Sequence, residues 1–479
     1  MKRNKKGFTI VELVIVIAVI AILAAGVIPT FSGLVRRANE SADLQAVRNM
    51  NTALAASEDT PDHISAVWEI LKEAGYDAQN YTPLVSGCSF YWDGEINRVL
   101  YCDENDTVLF PAEYKDRTKT AFWEGLKGVT ELTADQLTDG AKIALAAGVE
   151  GSVDLSQLNQ SVNIYLNGST LKSSALQINS EEAEVTLSGG NLELGKQIEL
   201  KKGTLILDGV SSNVPIANRG GNLTIDNGEK QTITGNGTLY LGGGTTVING
   251  GAFCQISSGK SIEASGGDLI VNGGSFYATN YCIEVKNNSN VTINDGNFEG
   301  QNTSALVQCS AGSVEINGGN FSYAGTGGVP VSCAGGNVTV NGGTFTTQGD
   351  CVTASSGEIT INGGMFIGAN SQSSAFLKST GGQITVPAGS EASFEMFSAT
   401  GSSGGILGGN ASGDTKLIKI EGGTFKAKNE FAKGSTLSAY QITGGEIFVK
   451  IKNTGFADQG TYSSEKDENG YYRFTPNAA

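Results

Sequence analysis

A short phrase that repeats through the second half of the chain constrains its fold more than any other feature. An apolar strand, an asparagine, a small turn pair and a phenylalanine recur as VINGGAF, IVNGGSF, TINDGNF, EINGGNF, TVNGGTF, TINGGMF and, with glutamate replacing asparagine, KIEGGTF. The asparagines lie 23, 22, 23, 24 and 21 residues apart, at Asn249, Asn272, Asn294, Asn317, Asn341 and Asn362. A period of about 22 residues with glycine turns predicts a solenoid whose stacked turns share one core.

Within the repeat NVTVNGGTFTT, strand alternation predicts that Val338, Val340 and Phe345 point inward while Thr339 and Thr346 point outward. The turn position of Asn341 suits a residue with positive φ, which asparagine tolerates. Weaker repeats extend the pattern to twelve or thirteen coils between residues 150 and 450. The same spacing places Cys309 and Cys333 above one another, either as apolar core thiols or as a disulfide.

This pattern resembles the right-handed parallel β-helix of the pectate-lyase-like superfamily, in which about three strands form a coil and asparagines stack in a ladder. The resemblance implies a large right-handed parallel β-helix at residues 151–445. A calcium-binding nonapeptide roll would need a G-G-x-G-x-D repeat and a left-handed helix a hexapeptide period, and the repeat shows neither. We expect residues 446–479, which gain charge and aromatic side chains, to cap one end. We expect residues 116–150, with TADQLTDGAKIALAAG, to supply a linker and a capping helix at the other end.

The other constraining feature is the N-terminal segment KKGFTIVELVIVIAVIAILAAGVIP, residues 5–29. Between Phe8 and Phe31 only Thr9, Glu12 and Thr30 are clearly polar. A helix over residues 8–31 would be about 36 Å long, which is enough to cross a bilayer. Because basic residues precede it, we expect a cytoplasmic N-terminus and an extracytoplasmic remainder in a single-pass cell-membrane protein. A secretory signal peptide, a lipoprotein signal and a plain anchor are the alternatives.

The basic leader, Gly7 before Phe8, Glu12 four residues beyond Phe8 and the unbroken apolar helix resemble the prepilin cleavage and methylation motif of type IV pilins and pseudopilins. The resemblance implies a leader peptide at residues 1–7, cleavage between Gly7 and Phe8 by a prepilin peptidase, N-methylation of Phe8 and a helix kink at Pro29. It also implies that Glu12 attracts the Phe8 amine of a neighbouring pilin-like subunit when the assembly machinery adds it.

Residues 32–115 predict a small α+β pilin-like head, so the whole chain is of mixed class. The long helix continues past the membrane, and a second helix begins after Thr60-Pro61 and ends at Gly75. The stretch CSFYWDGEINRVLYCDENDTVLFP then predicts two successive hairpins. With a loop at residues 93–97, Cys88 lies opposite Cys102, which allows a disulfide or two separate thiols.

Composition limits the function. A net charge of −16 argues against nucleic-acid binding, and one histidine, His63, with no C-x-x-C spacing gives no indication of a metal site or cofactor. Residues 150–450 contain one arginine, Arg219, and Asp208 and Asp226 share similar coil positions without identifying catalytic residues. We therefore expect a minor pilin or pseudopilin that displays the β-helix at the cell surface or on a pilus, for adhesion or glycan binding. The alternative is a membrane-anchored polysaccharide lyase or hydrolase.

Overall fold

In the computed structural model the chain divides into two compact units, which are described separately. The first comprises Met1–Thr130 and Gly140–Ala146, and the second Glu131–Asp139 and Ala147–Ala479. The structure describes residues 9–477, apart from the residues 59, 62–63, 79–80, 118–121, 229–231, 235–237, 256–258, 301–303, 325–326, 371–374, 400–404, 410–416 and 434–438. Within helices and strands, the side chains of residues 24–30, 122–127, 255, 369–370, 397–399, 433 and 454 are also undescribed.

The first unit is built on two helices, α1 at Ile10–Ala56 and α2 at Ile64–Glu73. Apolar residues three or four positions apart place one face of each helix against the core. This face consists of Ala46, Val47, Met50 and Leu54 on α1 and Ile64, Val67, Trp68 and Leu71 on α2. Asp43 of α1 is fully buried, and its carboxylate accepts the backbone N–H groups of Leu84 and Val85 at 2.8 and 3.0 Å. This contact ties the loop before the sheet to the helix.

Five strands form the sheet of the first unit: β1 Ser89–Asp93, β2 Arg98–Cys102, β3 Val108–Phe110, β4 Phe122–Val129 and β5 Ala141–Leu145. Their order is β3-β2-β1-β4-β5. The first three strands form the predicted antiparallel meander, while β4 pairs antiparallel with β1 and β5 pairs parallel with β4.

The prediction of a capping helix within residues 116–150 is wrong. The described part of this segment contains β4, a short 3₁₀-helix at Ala134–Gln136, β5 and the start of β6. Gly140 and Gly148 adopt φ values of 79° and 74°, which interrupt a helix on both sides of the alanine-rich run. Ile143, Ala144 and Leu145 are all fully buried. Tertiary burial therefore overrides the helical propensity of the run.

The predicted register of the first hairpin is wrong by one residue, and with it the disulfide. Asp93 pairs with Arg98, so the loop is residues 94–97 and Ser89, not Cys88, lies opposite Cys102. Asp93 stays in the strand because its buried carboxylate binds Arg117 at 2.5 and 2.9 Å and accepts the N–H of Glu95 at 3.0 Å. All seven cysteines are described, and none is joined to another in a disulfide.

The second unit is a β-solenoid of about 12 turns with about 23 residues per turn, which confirms the predicted solenoid. Its strands stack in parallel, and each turn adds one strand to each of three sheets. In chain order the strands are β6 Glu150–Ser152, β7 Val162–Tyr165, β8 Thr170–Ser173, β9 Gln177–Ile178, β10 Glu184–Leu194, β11 Ile198–Leu200, β12 Thr204–Ser212, β13 Ile216–Asp226, β14 Thr232–Ile233, β15 Leu239–Gly250, β16 Ala252–Gln255, β17 Lys260–Ala264, β18 Asp268–Val271, β19 Ser275–Ala278, β20 Tyr281–Val285, β21 Asn290–Ile293, β22 Asn297–Gly300, β23 Ala305–Cys309, β24 Ser313–Ile316, β25 Asn320–Tyr323, β26 Val329–Val340, β27 Thr344–Thr347, β28 Val352–Ile361, β29 Met365–Asn370, β30 Ala375–Ser379, β31 Gln383–Val386, β32 Ser393–Ala399, β33 Gly405–Gly409, β34 Ile418–Ile420, β35 Thr424–Ala427, β36 Ala432–Lys433, β37 Tyr440–Ile442 and β38 Glu446–Val449.

We name the three sheets by their residues. The asparagine sheet contains the strands that precede the repeated asparagines, such as β21 and β24. The phenylalanine sheet contains the strands that follow, such as β22 and β25. The third sheet completes each turn through strands such as β11, β17 and β20. Cys309 pairs directly with Cys333 in the third sheet, so the predicted stacking of these two residues is confirmed.

The core of the solenoid contains a continuous stack of phenylalanine rings. Adjacent rings have centroids 4.5–5.0 Å apart and planes within 11° of parallel. The members are Phe253, Phe276, Phe298, Phe321, Phe345, Phe366, Phe394 and Phe425. All eight are nearly or completely buried, because the strand period of two directs the same position of every turn inward.

The expected positive φ at Asn341 is wrong. Positive φ occurs at the second glycine of the turn, Gly343, at 97°, and at its equivalents Gly319 and Gly364. Only glycine adopts this conformation without steric cost, so the turn depends on the glycine rather than on the asparagine.

The last turn is covered by a short hairpin, β39 at Gly460–Tyr462 and β40 at Tyr472–Pro476. Strand β40 pairs antiparallel with both β39 and β38. The Gln459 side chain donates to the Tyr440 carbonyl at 3.1 Å and accepts the Ile442 N–H at 2.8 Å, which satisfies backbone groups of β37.

Candidate functional site

The described part of the N-terminal motif begins at the start of α1. Thr9 is the N-cap: its hydroxyl accepts the Glu12 N–H at 3.3 Å, and the Glu12 carboxylate accepts the Thr9 N–H at 2.9 Å and the Thr9 hydroxyl at 2.8 Å. This reciprocal capping box fixes the helix start beside the predicted cleavage position. Gly7 and Phe8 lie outside the described residues, as does the side chain of Pro29, although α1 runs through that position.

The first turns of α1 expose large apolar side chains on every side. These side chains, 46–82% exposed, are Ile10, Val11, Leu13, Val14, Ile15, Val16, Ile17, Val19, Ile20, Ile22 and Leu23. In the part of the chain that the structure describes, no helix has the length and apolarity of a membrane span. The predicted span at residues 8–31 includes Phe8 and the side chains of residues 24–30, which lie outside the described residues.

The repeated asparagines form a ladder along the edge of the asparagine sheet. Each side-chain amide donates to the amide oxygen of the preceding asparagine at 2.8–3.0 Å, giving five hydrogen bonds from Asn249 to Asn362. A second polar column beside it links Asp268, Asn290 and Ser313 at 2.9 and 2.8 Å. The ladder joins consecutive turns through their side chains in addition to the backbone pairing.

A cleft of about 400 Å³ opens on the third sheet where side-chain size changes between turns. The outward residues at one position of successive turns are Glu199, Ala217, Tyr240 and Glu263. Ala217 is the only small side chain of these four, so its methyl group forms the floor between longer neighbours. The lining residues are Gln197, Pro215, Ile216, Ala217, Arg219, Leu239, Tyr240, Gly259, Lys260 and Glu263.

Strand alternation turns Arg219 outward, on the same side as Ala217, and the strand pairing breaks directly beside it. Asn218 pairs with Leu241, but Arg219 pairs with Gly243, so Gly242 has no partner across the ladder. Such β-bulges redirect side chains and are common near functional sites. A Cβ atom on Gly242 would lie 3.0 Å from the Tyr240 ring, so this glycine leaves room for the ring.

The bulge is held by Asn218, a fully buried polar residue at a position where adjacent turns place Leu200 and Leu241. Its amide nitrogen lies 3.0–3.1 Å from the Gly221 carbonyl, the Thr245 carbonyl and the Thr246 hydroxyl. Its amide oxygen accepts the N–H groups of Gly220 and Gly221 at 3.2 and 3.0 Å. The buried amide is therefore satisfied, and it fixes the backbone that carries Arg219.

Arg219 is half-exposed, and its guanidinium lies 5.5 Å from the Tyr240 ring centroid. One nitrogen contacts Glu199 at 3.4 Å. Guanidinium offers five N–H donors in a planar fork, so this single contact leaves donors for a bidentate acceptor. Tyr240 provides a partly exposed aromatic face beside it.

The far wall of the cleft is a charge-balanced network of Lys260, Glu263, Glu284 and Lys286. Lys260 binds Glu263 at 2.7 Å and also contacts Glu284, while Lys286 binds Glu284 at 2.9 Å. Burial lowers the pKa of Lys260, but its hydrogen bonds to the two carboxylates outweigh burial and leave the pKa raised. The network is a fixed wall at neutral pH.

The acidic positions noted in the sequence also come together. Asp208 and Asp226 are direct partners in the asparagine sheet, and both are exposed. They lie on a different sheet from the Arg219 cleft. Among the described residues, no group of three or more histidine, cysteine or acidic side chains has the arrangement of a metal site. His63 lies outside the described residues.

Arg219 stands out in the sequence as the one arginine of residues 150–450, but the cleft around it does not. The available signal was NRGG at residues 218–221, which places asparagine where the repeat expects an apolar core residue. A polar residue at a core position followed by glycines indicates a bulge.

The N-terminal segment matches the family model described as the prokaryotic N-terminal methylation motif, over residues 2–28. The match to this motif is confined to the N-terminal segment of the chain. The chain is similar to the type IV wide pilus major component PilA4 of Thermus thermophilus, with 59% identity over 39 residues. That match covers 8% of this chain and 30% of the relative. No solved structure matches the chain significantly.

Proposed function

We propose that this protein is a minor pilin-like or pseudopilin-like subunit that displays its β-solenoid outside the cell. A prepilin peptidase cleaves between Gly7 and Phe8 and methylates the Phe8 amine, and the processed subunit joins other pilin-like subunits through its N-terminal helix. The match to the methylation motif over residues 2–28 is the observation that carries this proposal.

The exposed start of α1 supports a hydrophobic environment for this helix. Eleven large apolar side chains between Ile10 and Leu23 are accessible around its circumference, far more than a water-exposed helix tolerates. A bilayer before assembly and neighbouring subunit helices after assembly would both cover them. Glu12 lies in the same stretch, one residue beyond Val11, where a carboxylate needs a cationic partner.

The solenoid is proposed to bind a surface or glycan ligand without converting it. Its side chains are held by stacked strands, the asparagine ladder and the phenylalanine stack, so the outward faces are preorganised for recognition. Cleavage of a polysaccharide is the second candidate, favoured by the exposed register pair Asp208 and Asp226. Incubation with polysaccharides separates the two: saturable binding without released sugars supports an adhesin, and released sugars support an enzyme.

Mass spectrometry of the protein sheared from cells tests the processing step. The expected N-terminal peptide begins at Phe8 and carries one N-methyl group. A Gly7→Val variant, which changes the residue before the cut, should retain the whole leader, residues 1–7, and remain with the cells. A wild-type chain that retains Met1, or one that begins near residue 26, would contradict the proposal.

A further inference from the structure

We propose that the Arg219 cleft is a binding site for an anionic sugar, a hexose ring that carries a carboxylate or a phosphate. This inference deepens the adhesive role proposed above and rests on it only for access to an external ligand. The cleft volume of about 400 Å³ lies within the range of small-ligand sites.

The charge of the lining points to an anion. Lys260 and Glu263 neutralise each other at 2.7 Å within the charge-balanced network. Glu199 is shared between Arg219 at 3.4 Å and Lys201 at 3.6 Å, so one positive charge remains at the cleft, and the Arg219 guanidinium is the cation that lines it. The whole chain carries a net charge of −16, so a cationic cleft is not an average property of its surface. A planar guanidinium binds carboxylate or phosphate oxygens with two parallel hydrogen bonds.

The neighbours of Arg219 point to a sugar rather than a free ion. Tyr240 offers a partly exposed ring on which the apolar face of a sugar can stack. The amide of Gln197 and the carboxylate of Glu263 line the same cleft and can hydrogen-bond ring hydroxyls. Ala217, which is buried, lies at the bottom of the cleft between them.

The site is also built rather than incidental. The fully buried Asn218 amide contacts Gly220, Gly221, Thr245 and Thr246, so it holds in place the backbone that carries Arg219. Asn218 is therefore a positioning residue. A buried polar amide replaces a leucine of the adjacent turns, a substitution that costs core packing and yields an outward-facing arginine in a fixed place.

The test is calorimetric titration of the purified full-length protein, in detergent, with three short oligosaccharides: an oligouronate, its carboxyl-reduced neutral counterpart and a phosphodiester-linked oligosaccharide. Binding of either anionic compound with at least tenfold preference over the neutral one supports the proposal, and the tighter of the two identifies the anionic group. Absence of binding to both anionic compounds, or equal binding of the neutral one, overturns it.

Arg219→Gln should weaken binding at least tenfold, and Arg219→Lys should weaken it less because it keeps the charge but loses the fork. Arg473→Gln is the matched control: this arginine is exposed at the far end, with one carboxylate contact at 3.6 Å, and its substitution removes the same charge. Equal affinity of wild type and Arg219→Gln, or an equal loss in Arg473→Gln, overturns the proposal. Because binding is measured on purified protein, failure of filament assembly in cells would contradict the proposed function without touching this result.

Discussion

Glu12 has two separable roles at the residue scale, helix capping and charge pairing. The capping box joins it to Thr9 through three contacts of 2.8–3.3 Å. The proposed charge pairing joins the same carboxylate to the Phe8 amine of a neighbouring processed subunit. A carboxylate and an ammonium group attract strongly where water is scarce. The capping role needs Thr9, whereas the pairing role needs only the charge.

We expect Glu12→Val to leave cleavage after Gly7 nearly intact but to lower the sheared, filament-borne fraction at least tenfold, because the partner of the Phe8 amine is lost. Thr9→Val is the control, since it removes the hydroxyl of the capping box and keeps the carboxylate. It should assemble close to wild type. Immunoblots of sheared and membrane fractions give the measurement, and equal fractions for Glu12→Val and wild type would rule out the pairing role.

A second residue-scale prediction concerns the asparagine ladder. Asn294 takes part in two ladder bonds, to Asn272 at 2.8 Å and from Asn317 at 3.0 Å, whereas Asn362 takes part in one. At about 1 kcal/mol per bond, Asn294→Ala should lower the free energy of unfolding by about twice the loss for Asn362→Ala. Denaturant titration followed by circular dichroism measures both. Similar losses for the two variants would show that the number of ladder bonds does not determine the loss in the free energy of unfolding.

Sequence spacing predicts that the asparagines align, but not the backbone angle of Asn341 or the role of Asn218. Alignment follows from the repeat length alone. The φ angle depends on which turn residue adopts the left-handed conformation, and Gly343 does so more cheaply than Asn341. The Arg219 cleft depends on a register shift that leaves Gly242 without a strand partner. This shift involves residues 24 positions apart in the chain, so the local sequence gives only a weak indication of it.

At the element scale the turns tolerate side chains very unequally. Gly312 and Gly389 both have positive φ, at 92° and 81°. A Cβ atom at Gly312 would overlap the backbone oxygen of Ser289, which accepts the N–H of Ser313 in the next turn at 3.0 Å. A Cβ atom at Gly389 would meet no atom within 4 Å.

Gly389→Ala should therefore cost only the backbone strain, about 1–2 kcal/mol. Gly312→Ala should cost more than this, because the added methyl group also forces adjacent turns apart and lengthens the bond to Ser313. The free energy of unfolding of the two variants provides the comparison. A loss for Gly312→Ala no larger than that for Gly389→Ala would mean that the turns are not as closely stacked as the structure shows.

Long periodic elements are predictable because many residues repeat the same signal, whereas short unique elements are not. The hairpin signals in the sequence predict the meander of the first unit. The predicted register is wrong by one residue, because Asp93 remains in β1, where it binds Arg117. Likewise β5 contains an alanine-rich run that favours a helix locally, and burial of Ile143, Ala144 and Leu145 decides against it.

At the scale of the whole molecule, the last strand of the solenoid would have an unpaired edge if the last hairpin did not cover it. Strand β40 covers β38, and Gln459 satisfies the backbone of β37. Without the hairpin, β38 would present unpaired N–H and C=O groups, which template pairing with another chain.

Removal of residues 450–479 should therefore make the detergent-solubilised protein self-associate into species larger than those that the full-length protein forms. Gln459→Ala, which leaves β40 in place, should shift the distribution only slightly. Analytical ultracentrifugation of the three proteins at several concentrations measures the effect. An unchanged sedimentation profile after the truncation would show that β38 does not need this cover.

The phenylalanine stack has a consequence for how such a chain changes over generations. Each turn contributes one strand to each sheet, and eight of about 12 turns also contribute one ring of the stack, so neighbouring turns within the stack present similar upper and lower surfaces. Tandem duplication or loss of a segment of about 23 residues would rejoin matching surfaces and leave both ends unaltered. The number of turns can therefore change in evolution by gain or loss of whole repeats, because the repeats share the same phrase and the core does not have to be rebuilt. The turn that carries Arg219 precedes the phenylalanine stack, so repeats could be gained or lost within the stack while the cleft stays intact.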